Sequence, residues 1–77
     1  IGGPEGVHIA RERLDGFRRG LAERGVALTG LERADDWHME YGYRAMRRLL
    51  ARNEGAFTAV FCAGDLLAVG AMRALRE

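Results

Sequence analysis

The chain has 77 residues, 48% apolar and 30% charged, with a formal net charge of +1. That length allows one small domain, and that balance describes a globular chain rather than a disordered one. A near-neutral charge gives no electrostatic case for nucleic acid or an anionic membrane, both of which need a clustered basic face. All 12 basic residues are arginine. The lone Cys62 excludes an internal disulfide framework and a Cys-cluster zinc site, and it is compatible with a reducing compartment. The sequence shows no signal peptide and no apolar run of membrane length.

Residues 1–4, Ile-Gly-Gly-Pro, read as a strand end running into a loop. Over residues 8–24, Ala10, Leu14, Phe17 and Leu21 recur at spacings of four and three, which predicts an amphipathic helix. Gly25 fits the position just past that helix, where a left-handed residue is usual. Residues 26–32 form a weaker candidate strand, because Val26, Leu28 and Leu31 alternate imperfectly. Asp35 or Asp36 then offers a side-chain oxygen as N-cap of a second helix.

That helix is predicted over residues 38–52. Gly42, Ala45, Met46, Leu49 and Leu50 are assigned to its inner face, and Arg44, Arg47, Arg48 and Arg52 to its outer one. Asn53, Glu54 and Gly55 break it. Residues 58–62 are almost continuously apolar, as in a parallel strand covered on both faces. Asp65 is read as the cap of a third helix, with Ala68, Ala71, Met72 and Leu75 facing one way. Strands alternating with helices predict an α/β fold, an open parallel sheet with flanking helices joined by right-handed crossovers.

Few residues carry site chemistry. Arg13 sits beside the buried stripe of its helix, where a guanidinium can either grip a polar ligand or lie on a solvated face. Trp37, the one tryptophan, lies in a strand-to-helix loop. It can stack on a ligand ring or staple back onto its own helix. Gly64 lets backbone approach a ligand, and Asp65 can accept hydrogen bonds as well as cap a helix. His8 and His38 lack metal-ligand spacing, Cys62 lies within an apolar strand, and no order of residues suggests a catalytic triad. The sequence therefore implies neither an enzyme nor a cofactor or metal site.

Three segments together resemble one family. Ala-Arg-Glu-Arg-Leu-Asp-Gly-Phe (10–17), five residues after Gly-Pro, looks like part of the effector-binding core of lac-repressor and purine-repressor family transcriptional regulators. Asp-Trp-His-Met-Glu-Tyr-Gly-Tyr (36–43) and the stretch over residues 58–75 resemble the blocks that follow in the same family.

The resemblance implies a periplasmic-binding-protein type I fold, with residues 1–77 forming part of its C-terminal subdomain. On that reading the DNA-binding headpiece and the partner subdomain lie outside the chain. It implies a small-molecule effector, sugar-like, held in a cleft between subdomains by Arg13, Trp37, Gly64 and Asp65. Gly64 departs from the family, which commonly places an effector-contacting Asn there. The resemblance further implies a homodimer through Leu66, Val69 and Met72, a cytoplasmic setting, no membrane partner, and DNA contact only through the headpiece. The alternative is an exported sugar-binding protein of a transporter, which shares the fold and two of the motifs. A sheet of two or three strands is small for this fold, so the isolated chain is expected to be marginal unless it dimerises or swaps elements. Thermal unfolding tests this: a cooperative, concentration-independent transition in a monomer would overturn it.

Overall fold

A computed structural model describes residues 1–52 and 57–77. Three helices follow one another along the chain: α1 (His8–Glu23), α2 (Met39–Arg52) and α3 (Asp65–Arg76). The predicted helical spans agree with these to within a residue or two. The expected break at Asn53, Glu54 and Gly55 lies outside the described residues.

The expected open parallel sheet is not formed. Among the described residues there is no strand, only an isolated parallel bridge between Gly2 and Arg33. Residues 1–3, 31–34 and 61–63 lie alongside one another, joined by two hydrogen bonds on each side of residues 1–3. Gly2 N donates to Glu32 O at 2.8 Å and Ala34 N to Gly2 O at 2.8 Å. On the other side Ile1 N donates to Phe61 O at 2.6 Å and Ala63 N to Ile1 O at 3.0 Å. A ladder needs a run of such pairs. After residue 3 the central segment reaches Pro4, which has no N–H to give, and the chain then turns through Gly6 (φ 80°) into α1. Val26 and Leu28, assigned to a strand, are exposed.

Helices cover both faces of these extended segments. Phe17 of α1 stacks on Phe61, with ring centroids 4.4 Å apart and planes within 10°. The opposite face carries the main core, built from Ile1, Ala34, Ala45, Met46, Leu49, Leu67, Ala71 and Ala74, with Val60 and Cys62 packed against it. Met46 and Leu67 are fully buried, each contributing about 1.5–3 kcal/mol. Leu50, assigned to the inner face of its helix, is exposed instead.

The helix ends show how the chain changes direction. Past α1, Gly25 N donates to Ala22 O and Val26 N to Leu21 O, with Gly25 at φ 67°. This pair of bonds satisfies the last carbonyls and needs a residue that tolerates the left-handed region. The two predicted aspartate caps are not observed. Asp36 Oδ1 instead accepts the backbone N–H of Trp37 at 2.7 Å, and α2 begins only at Met39. Gly64 is the N-cap of α3 and makes no side-chain cap bond, while Asp65 is the first helical residue. Its carboxylate there suits the positive end of the helix dipole.

α2 and α3 cross at a pair of glycines. A Cβ on Gly42 would overlap the Leu67 carbonyl oxygen, and one on Gly70 would overlap that of Met39. Beyond the crossing, the Tyr43 hydroxyl donates to Glu77, Arg47 donates to the same hydroxyl at 2.9 Å, and the Arg73 guanidinium lies 4.1 Å from the ring centre. Glu32 ties the other end of α2 to the extended layer. It accepts from Arg48 Nε at 2.5 Å and also from Arg52.

Two predictions follow from this packing. Alanine is the better helix former by about 1 kcal/mol. At Gly70 it must push two helix backbones apart, at the upper end of the ~1–3 kcal/mol typical of overpacking. Gly70→Ala should therefore lower stability in urea by about 2 kcal/mol, the difference between those two figures. Gly20→Ala, where nothing lies within 4 Å, should raise it. The hydrogen bond from Arg48, joined by that from Arg52, holds the Glu32 carboxyl below its ordinary value of 4.5. In the unfolded chain that value is restored. The contribution is therefore fully present above pH 4.5 and is lost as pH falls through the lower folded value. Urea unfolding across that range should show Glu32→Gln less acid-sensitive than the parent chain.

Candidate functional site

The three extended segments run in the same direction and each leads towards a helix. Their ends therefore share one edge, which brings together Gly3, Trp37 and Gly64, with Arg13 reaching in from the second turn of α1. Arg13 Nη1 donates to Ala63 O at 2.6 Å, and its guanidinium carbon lies 5.9 Å from the Trp37 ring centre. One of its five N–H donors is therefore used by the fold, at the last residue before Gly64.

Trp37 is half-buried and enters edge-first. A Cβ built on Gly64 would lie 3.0 Å from its Cε3 and 3.3 Å from its Cζ3. A Cβ on Gly3 would lie 2.5 Å from Cη2 and 2.9 Å from Cζ3. The benzene edge of the indole is thus seated between two glycines. Its pyrrole edge, with Nε1–H, points away from them. The Asp36 carboxylate holds the loop by accepting the Trp37 amide, with His38 Nε2 3.8 Å from its other oxygen.

Of the residues singled out in the sequence, Arg13, Trp37 and Gly64 meet directly. Asp65 follows in the chain and is exposed beside them. Neither alternative for Trp37 is what the geometry shows alone. The ring packs inward against the two glycines, yet remains partly open at the edge. Gly3 was not legible as a site residue. Its only signal was the Gly-Gly-Pro stretch, read as a plain loop entry.

The chemistry of this edge is that of a donor set. Arg13 and the indole N–H donate, while Asp65 supplies a carboxylate. Cys62, just behind the edge, has its thiol pushed up by burial, which makes it an inert packing group. Among the described residues no group of three His, Cys, Asp or Glu side chains gathers where it could hold a metal ion. His8 pairs instead with Glu12 at 3.3 Å on the exposed face of α1. No helix among the described residues is long and apolar enough to cross a membrane.

A family model for the periplasmic binding protein-like domain matches residues 1–77. The chain belongs to that family. Among curated relatives, the HTH-type transcriptional regulator AglR of Rhizobium meliloti (strain 1021) is 40% identical over 78 residues, covering 100% of this chain and 22% of the relative. The HTH-type transcriptional repressor PurR of Erwinia tasmaniensis is 43% identical over 66 residues, covering 84% of this chain and 19% of the relative. The repressor of the same name from Escherichia fergusonii is 37% identical over 78 residues, covering 100% and 23%. The chain thus spans about a fifth of the length of these curated relatives. No solved structure matches it.

Proposed function

We propose that residues 1–77 are part of the effector-sensing region of a DNA-binding transcriptional regulator. The effector is a small molecule, a sugar or related metabolite, and it binds at the edge formed by Arg13, Trp37, Gly64 and Asp65. The observation that carries this reading is the meeting of Arg13 and Trp37 over Gly64, from three separate parts of the chain. A guanidinium with spare donors beside a half-open indole suits a ring that bears oxygen acceptors. The relatives named as HTH-type regulators support a regulator over a transport protein, and a cytoplasmic setting with it.

The mechanism is a population shift. An effector that contacts this edge and a second subdomain favours one relative orientation of the two, and that bias reaches a DNA-binding segment. The chain acts as a sensor rather than an enzyme. Leu66, Val69 and Met72 form the contact between two copies. They recur every third residue on α3, and each is exposed to 46% or more. An apolar stripe of that kind on a helix favours a partner surface.

The test is thermal unfolding of a protein of the relatives' length carrying these residues, against a panel of mono- and disaccharides. At one hundred times its dissociation constant a ligand should add about 2.7 kcal/mol of stability. Arg13→Ala should cost about 1 kcal/mol of stability through its lost hydrogen bond. It should also abolish the sugar-dependent stabilisation. If no member of the panel stabilises the protein, or if Arg13→Ala responds as the parent does, the reading fails.

A further inference from the structure

Two glycines distant in sequence, Gly3 and Gly64, face the same indole. Neither has a backbone angle in the left-handed region, so glycine is not required there by conformation; Gly64 is extended, at φ −153° and ψ 157°. At an N-cap a serine, threonine or aspartate would serve α3 better. What crowds a side chain at these positions is the ring, which an added Cβ would overlap at Gly3 and which would have to give by a few tenths of an ångström at Gly64. A Cβ at Gly64 meets Cε3 and Cζ3, and one at Gly3 meets Cζ3 and Cη2, so Cζ3 lies against both. Ala10 Cβ would lie 2.9 Å from the same Cβ at Gly3, so that position is crowded from α1 as well as by the ring.

We propose that Gly3 and Gly64 are positioning residues that form a slot for Trp37. The slot sets the direction in which the indole faces the ligand. Its benzene edge faces the two glycines, so its pyrrole edge, with Nε1–H, lies on the far side of the ring, whose centre is 5.9 Å from the Arg13 guanidinium carbon. A side chain at position 64 would have to share its surroundings with the tryptophan, whose Cε3 lies 3.0 Å from where its Cβ would stand. The site therefore offers donors from Trp37 and Arg13 where a side chain at 64 would otherwise reach the ligand. That selects for ligands with oxygen acceptors on the side facing Trp37, and against those that need an acceptor from the protein there. This deepens the proposed function and rests on it for its ligand consequences; the slot itself does not.

The test uses the one tryptophan of the 77-residue chain as a reporter. Biosynthetic 5-fluorotryptophan puts fluorine on Cζ3, the atom that lies against both glycines, and 7-fluorotryptophan puts it on Cζ2, on the side away from them. In fluorine NMR, Gly64→Ala should move the 5-fluoro resonance towards the free amino acid position and move the 7-fluoro resonance less. A urea series gives a second readout that is independent of the label. Gly64→Ala should lower the midpoint in the parent chain and leave it unmoved, or raise it, in a Trp37→Ala background, where the slot is empty. Equal losses in both backgrounds would overturn the proposal. So would a parent 5-fluoro resonance already at the free position, or equal movement of the two labels. Failure of the sugar panel with these results intact would sink the proposed function and leave the slot standing.

Discussion

α2 and α3 can approach each other closely only because Gly42 and Gly70 both lack a Cβ. Each glycine lies against the other helix's backbone, at Leu67 in one direction and at Met39 and Tyr43 in the other. This contact is reciprocal, so neither glycine can be exchanged without moving both helices. It draws Met46 and Leu67 fully out of water and closes the core over Ile1, Ala34 and Val60. With extended segments joined by two hydrogen bonds on each side rather than by a ladder, the crossing does the work that a sheet would otherwise share. Its position matters as much as its closeness. Gly42 comes five residues after Trp37, and Gly70 six after Gly64. Fixing the crossing near the start of both helices fixes the distance between the tryptophan loop and the entry to α3.

The candidate site is therefore a consequence of core packing. α1 contributes from the other face, where the Phe17–Phe61 stack places the helix over the last extended segment. From that position Arg13 reaches the Ala63 carbonyl, which would otherwise point unpaired towards the edge. The bond ties α1 to the residue before the N-cap of α3. Trp37 then fills the space between that tie and Gly3. Three contacts of different kinds hold one ring: a cation near it, a glycine on either side of its benzene edge, and a carboxylate on its backbone amide.

The helices were legible in the sequence because their apolar residues recur at helical spacing over three or more turns. Gly25 was legible because only a left-handed residue ends α1 in that way. Arg13, Trp37 and Gly64 were legible as a group through resemblance, where periodicity alone left each of them ambiguous. The sheet was not correctly read, because a β-branched and aromatic run such as residues 58–62 favours extended backbone without fixing hydrogen-bond pairing; Thr58 and Ala59 are in fact exposed. Whether a ladder forms depends on what its neighbours offer, and here the central segment meets Pro4 and turns away through Gly6. The aspartate caps failed for a related reason. Asp36 had a nearer donor in the Trp37 amide, and Asp65 lies one position inside the helix it was assigned to cap. Gly3 could not be read at all, since nothing local marks a glycine whose neighbour is a ring 34 residues away.

That long-range dependence gives Gly64 its meaning. Taken alone, a glycine in place of a polar residue at a ligand edge looks like a lost contact. Seen with Gly3, it is a position closely bordered by the indole of Trp37, 3.0 Å from where a Cβ would stand. A larger residue at 64 would compete for that space, and a smaller ring at 37 would leave it empty. The two positions are thus coupled by volume, and the polarity of the edge follows from which one holds the side chain. An amide at 64 carries both a donor and an acceptor, whereas the indole carries a donor alone. In the proposed reading, replacing the first by the second removes an acceptor from the protein side of the site and leaves Asp65 as the acceptor nearest in the chain. On that proposal, the ligand preference of this edge is decided less by the residue at 64 than by the ring beside it.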